Sequence, residues 1–208
     1  NTAGIPGNNI TKIQAPPSVG NGKCAVADLD GDGQKEIIVL ESNNVNLGKT
    51  GQLSVWNPAT GELLAQVQNP ILPDNSFDGS IPFIGDIDGD CLPEIGVVYN
   101  KVLKMYKYNP TIGLTEMYSI KTTDASGTTG VTMFDFNQDG RQELIYRDEN
   151  FLRIINGESG TTIDSIELLS STWLEYPLIV DIDNDGQAEI IVSGSLSDKR
   201  MPQLFCFE

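Results

Sequence analysis

The sequence predicts an all-β fold of the propeller type, and three observations carry that prediction. One nine-residue acidic loop recurs four times, as Asp28-Leu-Asp-Gly-Asp-Gly-Gln-Lys-Glu36, Asp86-Ile-Asp-Gly-Asp-Cys-Leu-Pro-Glu94, Asp135-Phe-Asn-Gln-Asp-Gly-Arg-Gln-Glu143 and Asp181-Ile-Asp-Asn-Asp-Gly-Gln-Ala-Glu189. The loops start 58, 49 and 46 residues apart, a spacing in the range of propeller blades. Each loop is followed by a short run rich in β-branched residues (37–40, 95–98, 144–146 and 190–192), which reads as a buried strand rather than a helix.

Taken in order, each repeat unit offers four strands of an antiparallel meander. The first unit (23–68) has strands over 23–27, 37–40, 52–56 and 62–67, with Asn57-Pro-Ala-Thr-Gly61 turning between the last two. The second (81–121) fills the same slots with 81–85, 95–99, 102–108 and 114–120, and turns at Asn109-Pro-Thr-Ile-Gly113. The third (130–168) has 131–134, 144–146, 151–155 and 161–166, with Asn156-Gly-Glu-Ser-Gly160 as its hairpin turn. The fourth (177–208) has 178–180, 190–193 and 203–207, one strand short. Residues 9–14 are a candidate for the missing strand. Either they close a four-bladed ring, or the 208 residues are part of a larger propeller of about seven blades, which is the reading favoured here.

The loops themselves read as a repeated cation site. Oxygen side chains at positions 1, 3, 5 and 9 form a ring of hard ligands around a sharp turn, and a backbone carbonyl at position 7 can join them. Gly33, Gly140 and Gly186 supply the turn at position 6, where the second loop has Cys91. An EF-hand opens in the same way but closes with an acid at position 12 between helices. Here position 12 is Val39, Val97, Tyr146 or Val192, which excludes it. All-oxygen ligation favours calcium over zinc or copper, so up to four Ca²⁺ are expected.

Charge agrees. The chain has 29 acids against 13 bases, a net charge of −16, and the four loops hold fifteen of those acids. Two carboxylates about 4 Å apart repel by roughly 4 kcal/mol at an effective dielectric near 20, so such clusters call for a cation. The remaining acidity, with no basic stripe, argues against a nucleic-acid partner. No apolar run reaches the 18 residues or so that a membrane-spanning helix needs. Neither does the chain open with a recognisable signal peptide. Cys24, Cys91 and Cys206 are too few for a disulfide framework and are expected as small buried or loop thiols with one bridge at most. Histidine is absent, which removes Ser-His-Asp, Cys-His and histidine-bound zinc chemistry.

The pattern Asp-φ-Asp-Gly-Asp-Gly-x-x-Glu (φ, apolar) between Ala25-Val26-Ala27 and Ile37-Ile38-Val39 resembles the FG-GAP or VCBS repeats of secreted bacterial proteins, which look like the calcium blades of the integrin α-subunit propeller. The resemblance implies Ca²⁺ bound through positions 1, 3, 5, 7 and 9. Carried onto this sequence, the ligands are Asp28, Asp30, Asp32, the Gln34 carbonyl and Glu36, then Asp86, Asp88, Asp90, the Leu92 carbonyl and Glu94. They continue with Asp135, Asn137, Asp139, the Arg141 carbonyl and Glu143, and with Asp181, Asp183, Asp185, the Gln187 carbonyl and Glu189. Cys91 and Pro93 make the second site the weakest or most distorted by expectation, and Asn137 lowers the charge of the third. The Phe-Gly and Gly-Ala-Pro signatures of the family are mostly missing, with Phe83-Ile-Gly85 as an echo.

The resemblance implies a non-catalytic binding, adhesion or structural module of a larger extracellular protein, secreted or on the cell surface, where free Ca²⁺ is available. The alternative it leaves is the propeller scaffold of a polysaccharide lyase, with a lysine or arginine base such as Lys199 or Arg200. Antiparallel geometry sets the metal loops and the Asn-x-x-x-Gly turns on one face. A protein or glycan ligand is therefore expected on the other, where Trp173, Tyr176 and Phe77 are the aromatic candidates. Asn9-Ile-Thr11 is a glycosylation sequon.

Overall fold

A computed structural model gives the structure for residues 22–41, 51–68, 79–99, 101–124, 126–170, 175–198 and 203–208. Its described residues form fifteen strands in four antiparallel sheets, three four-stranded and one three-stranded, with no helix. The first sheet is β1 (Gly22–Ala27), β2 (Glu36–Glu41), β3 (Gln52–Trp56) and β4 (Leu63–Gln68). The second is β5 (Phe83–Gly85), β6 (Glu94–Tyr99), β7 (Val102–Asn109) and β8 (Gly113–Lys121). The third is β9 (Val131–Phe134), β10 (Glu143–Arg147), β11 (Phe151–Ile155) and β12 (Thr162–Glu167). The last holds β13 (Leu178–Val180), β14 (Glu189–Gly194) and β15 (Gln203–Phe207). Within each sheet the strands pair in chain order, so every sheet is a plain meander.

All fifteen expected strands are present, with small boundary shifts. Each closing glutamate opens the second strand of its sheet, one residue earlier than expected. β5 begins at Phe83, not Ile81, because Pro82 has no amide to give to the ladder. Residues 9–14, the sequon, Phe77, Trp173, Lys199 and Arg200 lie outside the described residues.

Apolar side chains on facing sheets build three successive cores. Leu29, Ile38, Leu40, Leu53 and Val55 of the first sheet pack against Ile95, Val97, Tyr99 and Tyr106 of the second. Phe83, Ile87, Val98 and Met105 then meet Val131, Leu144, Tyr146 and Ile155. The last core joins Ile145 and Leu152 to Ile190 and Val192. First strands of successive sheets also touch, β1 with β5, β5 with β9 and β9 with β13. Sheets thus stack one on the next in chain order. Among the described residues no contact of comparable extent joins the fourth sheet to the first, so the array is not closed.

A bulge recurs at one place in the first three sheets. The register shifts between Val55 and Trp56, between Met105 and Tyr106, and between Ile154 and Ile155, leaving Leu64, Met117 and Ile163 as the extra residues on the last strand. In the first and third sheets the hairpin turn follows at once, at Asn57 and Asn156. The second sheet inserts two residues into β7, Lys107 opposite Thr115 and Tyr108 opposite Leu114, before Asn109 faces Gly113. That extension carries Lys107 toward the second acidic loop.

The cysteine expectation fails in part. Cys24, Cys91 and Cys206 are all free and all exposed, because Cys24 and Cys206 sit at outward-facing positions of β1 and β15 rather than in a core.

Candidate metal centre

Each acidic loop connects the first and second strands of its sheet, and the four share one hydrogen-bond wiring. The position-1 carboxylate turns back over its own loop. One oxygen accepts from the position-6 amide, at 2.9 Å from Gly33, 2.9 Å from Cys91, 2.8 Å from Gly140 and 3.0 Å from Gly186. The other accepts from the position-4 amide in the first two loops (Gly31 at 2.8 Å, Gly89 at 2.7 Å) and from the position-5 amide in the last two (Asp139 at 3.1 Å, Asp185 at 3.2 Å). The position-3 oxygen of Asp30, Asp88, Asn137 and Asp183 accepts from the position-5 amide at 2.9–3.3 Å. Position 5 accepts from position 7 in turn, at 2.7 Å (Gln34), 2.9 Å (Leu92), 2.9 Å (Arg141) and 2.8 Å (Gln187).

The closing glutamate seals the loop from inside. Glu36, Glu94, Glu143 and Glu189 are all buried, and one oxygen of each accepts from the position-2 amide, Leu29 at 2.9 Å, Ile87 at 3.0 Å, Phe136 at 3.1 Å and Ile182 at 2.8 Å. Burying a carboxylate is costly without a compensating partner. One amide per glutamate is a partial answer, because the aspartates of the same loop stand close enough to Glu36 and Glu143 to add to the cost.

Two backbone positions per loop are left-handed. At position 6, φ is +86° for Gly33, +68° for Cys91, +86° for Gly140 and +92° for Gly186. Cys91 therefore does adopt the conformation that glycine reaches freely, at the steric cost of its Cβ. Position 4 is left-handed too, through Gly31 (+75°), Gly89 (+78°), Gln138 (+57°) and Asn184 (+64°). Sequence reasoning missed this second position. The glycines and the asparagine there were its signal, since both residue types tolerate that region.

In three loops the wiring gathers charged oxygens into one cluster. Carboxylate oxygens of Asp28, Asp30 and Asp32, of Asp86, Asp88 and Asp90, and of Asp181, Asp183 and Glu189 lie within 4.8 Å of one another. In the third loop Asn137 replaces one carboxylate by a neutral amide oxygen. Burial pushes Glu36 above the usual glutamate range, against the Leu29 amide, and Asp30, Asp32 and Asp28 push it further. Glu143 is raised in the same way by burial, against the Phe136 amide, with Asp139 and Asp135 adding to it. The loops are thus folded around negative charge whose repulsion a hard cation would relieve.

The second loop differs. Lys107 projects its ammonium into the cluster, with Nζ 2.5 Å from Asp88, 2.7 Å from Asp90 and 3.2 Å from Glu94. Partial burial opposes the lysine charge, but hydrogen bonds to Asp88, Asp90 and Glu94 hold Lys107 above the usual lysine range. The Lys107 hydrogen bond likewise keeps Asp90 below the usual aspartate range. The first, third and fourth loops fit a divalent cation by donor chemistry. The second does not, because three of its four expected side-chain ligands already hold a cation.

The loops share one face. Gly31 of the first loop packs on Leu92 of the second, and Gly89 of the second on Arg141 of the third. Arg141 also pairs with Glu158 of the neighbouring hairpin turn at 2.8 Å. Between the third and fourth loops lies an open cleft of about 550 Å³, lined among others by Phe136, Gln138, Asp181, Asp185 and Glu208. Of the aromatic residues expected on the opposite face, only Tyr176 is described. It is 42% exposed, and its ring covers Gly130, where a Cβ would strike it.

The profile of the FG-GAP-like repeat matches residues 86–146 and 135–192, each match running from one acidic loop through the strand after the next. The chain belongs to the FG-GAP-like repeat family. No curated protein matches it. Among solved structures, the exotype rhamnogalacturonan lyase YesX superposes with a TM-score of 0.62 at 19% identity, over 89% of this chain and 36% of that one. The biofilm matrix protein Bap1 of V. cholerae gives 0.59 at 13% identity, over 89% and 56%. The Bacillus licheniformis rhamnogalacturonan lyase PL11 gives 0.57 at 19% identity, over 84% and 35%. The FG-GAP-like chain thus spans about a third to a little over half of the structures it resembles. At these identities the likeness is one of fold.

A pH prediction follows from the glutamates of the FG-GAP-like loops. Glu36 and Glu143 hold protons more tightly in the fold than in the unfolded chain, so without metal the native state is favoured as pH falls from neutrality through the range just above their ordinary value of 4.5. With metal bound the ligands must be deprotonated, and stability should fall over the same range. Melting curves between about pH 7 and pH 5, in chelator and in calcium, should therefore slope in opposite directions. Parallel slopes would contradict the assignment of these carboxylates.

Proposed function

We propose that the chain is a calcium-rigidified run of propeller blades serving as a non-catalytic binding, adhesion or structural module of a larger extracellular protein, secreted or at the cell surface. The observation that carries this reading is the common wiring of the loops, which presents oxygen ligands with a buried closing glutamate at one end of every sheet. The position-7 carbonyls of Gln34, Arg141 and Gln187 complete the coordination in the loops that fit calcium. The exposed apolar face of the fourth sheet supports a larger propeller. Leu178 is 60% exposed, Ile182 59% and Leu204 75%, whereas Leu29 and Ile87, equivalent to Ile182 but covered by a neighbouring sheet, are 1% and 0%. A further blade would cover that face.

In this reading calcium acts through shape: it holds the first-to-second-strand loops closed while the opposite face contacts a protein or glycan. A second reading, scaffold of a polysaccharide lyase, is favoured by the likeness to two rhamnogalacturonan lyases. Binding of the calcium-loaded chain to a panel of acidic and neutral glycans, run beside a rhamnogalacturonan depolymerisation assay, separates the two. We expect retention on a glycan or a cell surface without product. Release of unsaturated oligosaccharides by the purified chain would overturn the non-catalytic reading.

A further inference from the structure

We infer that Lys107 is a built-in cation: its ammonium closes the second acidic loop in place of calcium, so one blade of the array is metal-independent. This rests on the calcium reading of the other loops. All four loops offer oxygen side chains at positions 1, 3, 5 and 9, and what sets the second apart beyond Cys91 and Pro93 arises in the hairpin that faces it. Along each sheet Ile37 pairs with Trp56, Ile95 with Tyr106, Leu144 with Ile155 and Ile190 with Phe207. Continued by one residue, that antiparallel register sets Asn57, Lys107, Asn156 and Glu208 opposite the closing glutamate of their own loops. In the first and third sheets that residue starts the turn. Its side-chain oxygen is occupied there, Asn57 Oδ1 by the Ala59 amide at 2.8 Å and Asn156 Oδ1 by the Ser159 amide at 2.9 Å.

In the second sheet the extra residue pair moves the turn to Asn109, whose Oδ1 accepts from Thr111 at 2.9 Å. Lys107 is thereby released from turn duty and placed in the strand. Its Nζ reaches the side-chain oxygens of positions 3, 5 and 9 together. A divalent ion would have to share these oxygens with an ammonium about 3 Å away, and like charges at that range repel strongly. The same loop carries Cys91 at position 6. A loop locked by its own side chain tolerates a strained residue there, because it need not reshape around an ion.

Amide hydrogen exchange over residues 86–94, read against residues 28–36, 135–143 and 181–189, tests this. In chelator the wild-type second loop should already be protected, and calcium should add protection only to the other three. Lys107→Met should speed exchange of the second loop in chelator by at least about tenfold, calcium should restore its protection, and native mass spectrometry should count one more bound ion than in the wild type. Lys107→Arg, which keeps a cation, should retain metal-independent protection. The inference is overturned if the wild-type second loop responds to calcium as the first does, or if Lys107→Met leaves its exchange in chelator unchanged. Failure of the first, third and fourth loops to respond to calcium would sink the calcium reading instead, and the chelator arm would still decide the role of Lys107.

Discussion

Chelation will lower the melting temperature of this chain by roughly 15–30 °C relative to millimolar calcium. A ligand bound only by the native state adds about 2.7 kcal/mol per site at a hundredfold excess over Kd, and three loops fit the ion, for about 8 kcal/mol in all. For a chain of this size each kcal/mol shifts the midpoint by about 2–4 °C. The carboxylate clusters should make the apo state the unusual one, with buried Glu36, Glu143 and Glu189 each facing acids and having one backbone amide bond to the loop. Magnesium should substitute poorly, since it demands a smaller octahedral shell and sheds water reluctantly. Circular-dichroism melts in EDTA, calcium and magnesium decide it. Superimposable curves would remove the basis of the proposed function.

Replacing Arg147 by leucine should cost about 3–5 kcal/mol, the usual penalty for leaving one half of a buried ion pair alone. Arg147 ends β10, fully buried, and its guanidinium pairs with the buried carboxylate of Glu175. Its Nη2 also donates to the Leu169 carbonyl at 3.0 Å, and the same stretch is bridged to Ser195 at the end of β14. Burial pushes Arg147 down to about 10, against the pull of Asp148, so it stays charged at neutral pH. This pair pins the third sheet to the fourth on the side away from the acidic loops. The double variant Arg147→Leu, Glu175→Leu should recover most of the loss, because it removes both charges at once. A single variant within about 0.5 kcal/mol of wild type would show that the pair is not structural.

The order of strands and the position of every acidic loop could be read directly from the sequence, because both rest on local rules. Period-two apolar runs make strands, and Asp, Gly and closing Glu at fixed spacing make the loops. Contacts between strands distant in the chain were not legible. Lys107 looks in sequence like any exposed strand lysine, and only the bulge between Met105 and Tyr106 with the following extra pair aims it at Asp88, Asp90 and Glu94. Arg147 was missed for a related reason. It stands just past the apolar run Leu144-Ile-Tyr146, where a charge ordinarily marks the end of a strand, and its partner Glu175 is 28 residues further on. The cysteine expectation failed on strand alternation, since Cys24 and Cys206 fall on outward-facing positions of their strands.

Among the described residues the sheets pack on their neighbours in chain order, which makes them behave as a short one-dimensional array. Its stability is then a sum of links rather than a property of one shared interior. Among the described residues the second and third sheets are held from both sides, whereas the fourth has three strands and one covered face. Opening should therefore travel inward from the fourth sheet like a zipper, with the second and third sheets the last to part. A propeller assembled from such links can grow or shrink by whole blades without redesigning its centre.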